Sequence, residues 1–243
     1  MSDVIVQFAH GLESGPQGTK VSHLTEAGFS VRAPDMQMSV RNMKKTNAVA
    51  RNLLRLPEVG ALGAAVAVSA GVAAAKRDAR PLWLGLGVGV GLAAMRYPAW
   101  RGQAMRRSFE ACVAIQAEAL EQYGPDVLLG SSWGGAVVLE LVRRGVWSGP
   151  TIVLAPAYAS VGRWANLPGL GARIDDIRRR SERVPIVVFH DPGDDVVPYK
   201  DSLELVRGSS MELRTVSAGG HRLLGLLENG SLAECIEGIS KAR

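Results

Sequence analysis

Residues 127–138, VLLGSSWGGAVV, constrain this chain more than any other stretch. The apolar run 127–129 follows the turn signal Gly124-Pro125 and reads as a short buried strand. From Ala136 onward, AVVLELVRRG has a helical pattern, with charges only at Glu140, Arg143 and Arg144 and Gly145 as a stop. Between them lies Gly130-Ser131-Ser132-Trp133-Gly134, a G-x-S-x-G at a strand-to-helix turn. Such a turn is tight, and a side chain at either glycine would collide with neighbouring backbone. It lifts the hydroxyl of Ser132 above the sheet edge, with a helix N-terminus beneath that favours negative charge. The pattern alone also fits a turn without chemistry. A serine hydroxyl is a poor nucleophile, so catalysis requires a histidine, an acid and a pair of N–H donors elsewhere in the chain.

The remaining pattern alternates strands and helices. Segments 4–8, 29–33, 151–154, 185–189 and 211–216 also read as strands. Helical patterns fall at 19–27, at 101–123, near 173–182 and near 200–207, and His221 opens a final helical region. This alternation predicts an α/β fold: a mostly parallel sheet of about six strands with helices on both faces.

Reactive groups gather at the carboxyl ends of strands in such a sheet. Read in order, those ends carry His10-Gly11-Leu12, then Ser132, then FHDPGDDVVP with Asp191, Asp194 and Asp195, then SAGGH with His221. On AHGLES at 9–14, GSSWGG at 130–135, HDPGDDVVP at 190–198 and GGH at 219–221, the chain resembles the α/β-hydrolase superfamily. With the apolar segment between the second strand and the helix before Ser132 set aside, small bacterial carboxylesterases and the dienelactone-hydrolase-like branch are similar in size. The resemblance implies a trimmed α/β-hydrolase fold in which Ser132 is the nucleophile, His221 the general base and Asp194 the orienting acid, four residues before Pro198. Asp195 and Asp191 are alternatives for the acid. It further implies an oxyanion hole from the backbone N–H groups of Leu12 and Trp133, and no metal or organic cofactor. The expected substrate is a carboxylic ester or thioester. Amide cleavage would use the same triad, and a catalytically silent binding module would keep the fold without needing all three groups. Glu13, Ser14, Tyr158 and Trp164 are candidate substrate-binding residues, while His10 reads as a loop stabiliser and Ser131 as a packing neighbour. GPQGTK at 15–20 lacks the G-K-[ST] order of a phosphate loop.

One region breaks the alternation. Residues 59–75 carry no charge, KRDAR follows, and PLWLGLGVGVGLAAM occupies 81–95. Lys44, Lys45, Arg51 and Arg55 precede the pair; Arg96 and Arg101 follow it. This reads as two apolar helices joined by a charged turn, an insert at about 50–100 within a single domain spanning 1–243. It could form a membrane hairpin, a lid over the site, or helices buried in the core or a dimer interface. Each segment is short for a full span, which needs about 20 residues. Glycines at 85, 87, 89 and 91 allow close helix approach, although the Gly-Val alternation also has strand periodicity.

Composition narrows the partners. With 47% hydrophobic and 21% charged residues, the chain is globular rather than disordered. A net charge of +5 without aromatic interleaving disfavours nucleic acid and suits an anionic membrane surface better. Cys112 and Cys235 lie far apart in helical patterns, which predicts buried free thiols. MSDVIVQFAHG enters a strand without a signal-peptide pattern, so a cytoplasmic protein with possible membrane association is expected.

Overall fold

The computed structural model describes residues 4–217 and 219–241. Its frame is six parallel strands: β1 (Ile5–Ala9), β2 (Ser30–Arg32), β3 (Val127–Ser131), β4 (Thr151–Leu154), β5 (Ile186–His190) and β6 (Glu212–Thr215), in the order β2-β1-β3-β4-β5-β6. The inner strands β1, β3, β4 and β5 are short, largely apolar runs because both their faces are covered, whereas the edge strands β2 (SVR) and β6 (ELRT) are partly exposed and mix polar with apolar residues. Val6, Phe8, Val127, Leu129, Ile152 and Leu154 point to one face, while Ala9, Leu128, Val153 and Val188 point to the other. The first face is closed by α1 (Thr19–Glu26), α9 (Leu224–Glu228) and α10 (Ser231–Ser240). The second is closed by α5 (Trp133–Arg144), α7 (Leu170–Ser181) and the docked half of a long helix, α4 (Arg80–Tyr123). Helix α8 (Tyr199–Val206) connects β5 to β6.

Strand order reverses at the β1–β3 pair. The chain leaves β1 towards β2 and later returns to β3 on the other side. Loops after β1 and β3 therefore diverge and open a crevice at the carboxyl edge.

Two elements lay outside the sequence pattern. Residues 158–164, to which the sequence pattern assigns no element, form α6 (Tyr158–Trp164), and α2 (Val49–Leu54) precedes the apolar helices. The insert is a helical hairpin, α3 (Pro57–Lys76) returning into α4. Residues 81–95 and 101–123, expected as separate helices, are one continuous helix of 44 residues, with Pro98 inside it. The Gly-Val alternation is helical because its glycines serve packing: a Cβ on Gly85 would collide with Ser69, and one on Gly89 would sit 3.1 Å from Val66. Of the alternatives for the insert, burial in the domain core does not hold. Ala73 is the one buried residue of α3, and Gly89 is the one buried residue of α4 before Trp100. Both cysteines are buried and free.

Candidate active site

Ser132 occupies the turn between β3 and α5 with φ 54° and ψ −113°, a region that a residue bearing a Cβ adopts only under constraint. The constraint comes from both sides. Ser132 N–H donates to the Leu154 carbonyl at 2.8 Å, and its own carbonyl accepts from Ala136 and Ala157 at 3.1 Å each. Glycine is required nearby: a Cβ on Gly134 would overlap the Ala9 carbonyl, and one on Gly130 would lie 2.7 Å from Val138 Cγ2.

Three loops from distant parts of the chain meet here. Ser132 Oγ is 3.0 Å from His221 Nε2, and His221 Nδ1 is 2.8 Å from Asp194 Oδ2. Because Asp194 faces Nδ1, the imidazole carries its proton there and leaves Nε2 free to accept from the serine hydroxyl. The Asp194 side chain is 0% exposed. Burial pushes its carboxyl up, but hydrogen bonds from the Val197 N–H, His221 and the Val196 N–H outweigh that and hold it below the usual carboxylate range. Of the alternatives, Asp195 is exposed, and Asp191 has a different occupation. Its Oδ2 accepts from Gly219 N–H at 2.5 Å and Gly220 N–H at 2.6 Å, and its Oδ1 from Gly193 N–H at 2.7 Å. It thus ties the turn bearing His221 to the loop bearing Asp194.

Trp133 begins α5, so its N–H has no carbonyl one turn earlier to receive it. The N–H of Leu12, on the loop after β1, has no acceptor among the described residues. Gly11 keeps that loop close: a Cβ there would sit 3.7 Å from Ser132 Cβ. The Trp133 ring is buried and packs edge-on against Phe109 at 5.6 Å. What Trp133 can present at the site is its backbone.

The cleft above Ser132 has a volume of about 630 Å³. Leu12, Trp164, Val196 and Leu224 supply much of its apolar wall, and Glu13 and Ser14 reach its rim. Glu13 is mainly a loop fastener: its Oε1 accepts from Ser39 Oγ at 2.8 Å and from Val40 N–H at 2.6 Å. Tyr158 corrects a sequence expectation. It does not line the cleft; it is 2% exposed and its hydroxyl donates to Glu140 Oε2 at 2.8 Å. Trp164, one helical turn and a half further along α6, does line it. His10 is fully buried, with Nε2 accepting from Met36 N–H at 3.0 Å, a loop-stabilising role. A larger cavity, about 740 Å³, lies under β6 beside α9 and α10, and neither Ser132 nor His221 lines it.

Three contributors escaped sequence reasoning. His190, at the end of β5, is fully buried and reaches Asp194 Oδ2 at 3.1 Å through Nε2. Its Nδ1 accepts from Ser202 Oγ at 2.7 Å, and burial pushes its pKa down, so it stays neutral. Lys20 and Arg222 both line the cleft, and neither has a carboxylate partner among the described residues. Burial, with the Arg222 charge nearby, lowers the Lys20 ammonium to about 8. The available signal for Arg222 was its adjacency to His221; for Lys20 it was the loop already set aside as a phosphate binder.

Neither a protein-family model nor a curated protein sequence matches the chain. Solved structures do match over nearly the whole length. A protein of the alpha/beta hydrolase superfamily from Xanthomonas campestris pv. campestris is 22% identical, with a TM-score of 0.55, covering 98% of this chain and 99% of that one. Est1E from Butyrivibrio proteoclasticus is 12% identical with a TM-score of 0.56, covering 99% and 89%. TT1662 from Thermus thermophilus is 16% identical with a TM-score of 0.56, covering 99% and 90%.

Proposed function

On the α/β-hydrolase fold that these likenesses show, we propose that the chain is a serine hydrolase of carboxylic esters or thioesters. The observation that carries the reading is the unbroken chain of contacts from Ser132 Oγ to His221 at 3.0 Å and from His221 to Asp194 at 2.8 Å. In this reading Ser132 attacks the substrate carbonyl carbon while His221 Nε2 takes the hydroxyl proton. Asp194 stabilises the resulting imidazolium. The N–H groups of Leu12 and Trp133 stabilise the oxyanion, each worth roughly 3 kcal/mol or more. The tetrahedral adduct collapses, the C–O or C–S bond breaks, and His221 returns its proton to the departing alcohol or thiol. Water, deprotonated by His221, then releases the acid from Ser132.

The cleft favours an amphiphilic substrate. Its apolar wall suits an acyl chain, while Lys20 and Arg222 supply positive charge with no carboxylate ion-pair partner among the described residues. Labelling by a fluorophosphonate probe tests the mechanism. The wild type is expected to label, and Ser132→Ala and His221→Ala to lose labelling while unfolding at near wild-type temperature. A folded wild type that resists the probe would favour a silent binding module instead.

A further inference from the structure

The α3–α4 hairpin has an unusual distribution of exposure. Val68 and Val72 on α3 are exposed, as are Trp83, Leu84, Val88, Val90, Leu92 and Met95 on α4. A helix that packs on protein shows an apolar stripe and a polar back; residues 59–75 of α3 and 81–95 of α4 are apolar around their circumference. The two helices touch each other along a seam of small residues, Gly85 on Ser69 and Gly89 on Val66, which leaves their remaining faces unpartnered. A second copy would cover one side of such a hairpin. A surrounding apolar medium covers all of it. We infer that the hairpin is inserted in a lipid bilayer and that the catalytic cleft opens against the headgroup layer.

Length and charge fit this occupant. Helix α3, 20 residues long, is the one described helix whose length and composition suit it to cross a membrane, and it rises about 30 Å, the thickness of a hydrocarbon core; the shorter apolar stretch 81–95 of α4 returns beside it. Lys76, Arg77 and Arg80 outnumber Asp78 at the tip, and Arg51, Arg55, Arg96 and Arg101 outnumber Glu58 at the root. None of the four root arginines has a carboxylate partner among the described residues, so they are free to meet anionic headgroups. Trp83 near the tip and Tyr97 near the root are exposed where interfacial aromatic residues belong.

Topology sets which side of the domain meets the membrane. Helix α4 runs down to Tyr123, just before the start of β3, so its earlier half projects past the carboxyl edge of the sheet, the edge that carries Ser132. The root of the hairpin is fixed to the cleft. Arg106 donates to the carbonyls of Ala165 and Asn166, immediately after Trp164 in the cleft wall. On the other rim, Lys45 Nζ donates to the Ser14 carbonyl at 3.2 Å, tying the segment that leads into α2 to the cleft. An ester presented by a membrane amphiphile would enter directly. That substrate clause rests on the hydrolase reading; the insertion does not.

The test is flotation of the full-length chain with vesicles of phosphatidylcholine alone and of an equimolar mixture with phosphatidylglycerol. Wild type is expected to rise with both, more completely with the anionic lipid, and to remain after high-salt and alkaline carbonate washes. The double variant Leu84→Asp, Val88→Asp changes two exposed positions remote from the sheet, so its thermal unfolding should match wild type. Its partition into vesicles should fall on the order of a hundredfold per aspartate. Wild type left at the bottom of the gradient, released by salt alone, or floating no better than the variant would overturn the inference. So would a detergent-free dimer that the two aspartates dissociate, because a second copy would then be the occupant. Fluorophosphonate labelling on the same preparation separates the two readings. A labelled chain that does not float removes the insertion alone, and a floating chain that does not label removes the hydrolase reading alone.

Discussion

His190 Nε2 lies 3.1 Å from Asp194 Oδ2, the oxygen that His221 Nδ1 also reaches, at 2.8 Å. A second, buried and neutral imidazole therefore helps hold the acid that orients the first. Its Nε2 proton is shared with the Val197 carbonyl at 3.1 Å, which locks the loop between β5 and α8 around Asp194.

Replacing that imidazole by an apolar ring should uncouple orientation from binding. His190→Phe leaves Asp194 short of one donor and Ser202 Oγ without its acceptor. Stability should fall by about 1–3 kcal/mol, the cost of stranded buried polar groups. In the proposed hydrolase, His190 would act through Asp194 rather than on substrate, so kcat for a p-nitrophenyl ester should drop while KM holds. Steady-state kinetics beside urea unfolding would check this, and a change in KM alone would contradict a positioning role.

The backbone at Ser132 should be measurably strained. Ser132→Ala and Ser132→Gly both remove the proposed nucleophile, but alanine keeps the Cβ that φ 54° opposes. The glycine variant should be the more stable of the two by about 1 kcal/mol, the strain relieved exceeding the extra unfolded-state entropy. Denaturant midpoints of the pair decide it, and an alanine variant equal to or above glycine would show no strain at this turn.

Tyr158 and Trp164 lie on one short helix but face different work. The Tyr158 hydroxyl is one of several donors to Glu140, which is fully buried. Burial raises that carboxyl, but hydrogen bonds from Arg143, Arg144 and Tyr158 outweigh it and bring it to about 2. Tyr158→Phe should cost about 2 kcal/mol, as for a hydrogen bond to a charged group, and leave KM unaltered. Trp164→Ala removes cleft wall from a residue already 38% exposed, so KM for long-chain esters should rise several-fold with little loss of stability. A substrate panel with thermal unfolding separates the two roles.

The sheet was legible because strand residues answer to a local rule. Where both faces are covered, runs such as VLLG and TIVL must be apolar throughout, and turns with Gly, Pro or Asp bound them. Ser132, Asp194 and His221 were legible for a related reason, since each follows a strand at the edge where side chains can converge. Tyr158 was misread because a Tyr on a helix looks alike from sequence whether its hydroxyl meets solvent, substrate or Glu140. His190 was missed because its place as the final residue of β5 marks it as core, and only the tertiary fold brings Asp194 back over it. The continuity of α4 through Pro98 was hidden because proline normally interrupts a helix, and the docked residues that hold the lower half, from Trp100 to Cys112, were read as a separate element.

Asp191 links the stability of the site to pH. The N–H groups of Gly193, Gly219 and Gly220 all donate to it and hold its carboxyl below the usual range, so the folded value lies under the unfolded one of about 3.9. A depressed carboxylate contributes stability above the unfolded value, and that contribution is lost as pH falls through the folded value. Asp191→Ala should therefore be less stable than wild type at neutral pH, and the gap should close below about pH 4. Because Gly219 and Gly220 precede His221, the variant should also lose kcat at neutral pH as the histidine turn loosens. Urea midpoints of both proteins from neutral to acid pH read the first effect. A gap that stays constant across that range would mean the carboxylate charge contributes nothing, and that Asp191 shapes the turn through its bulk alone.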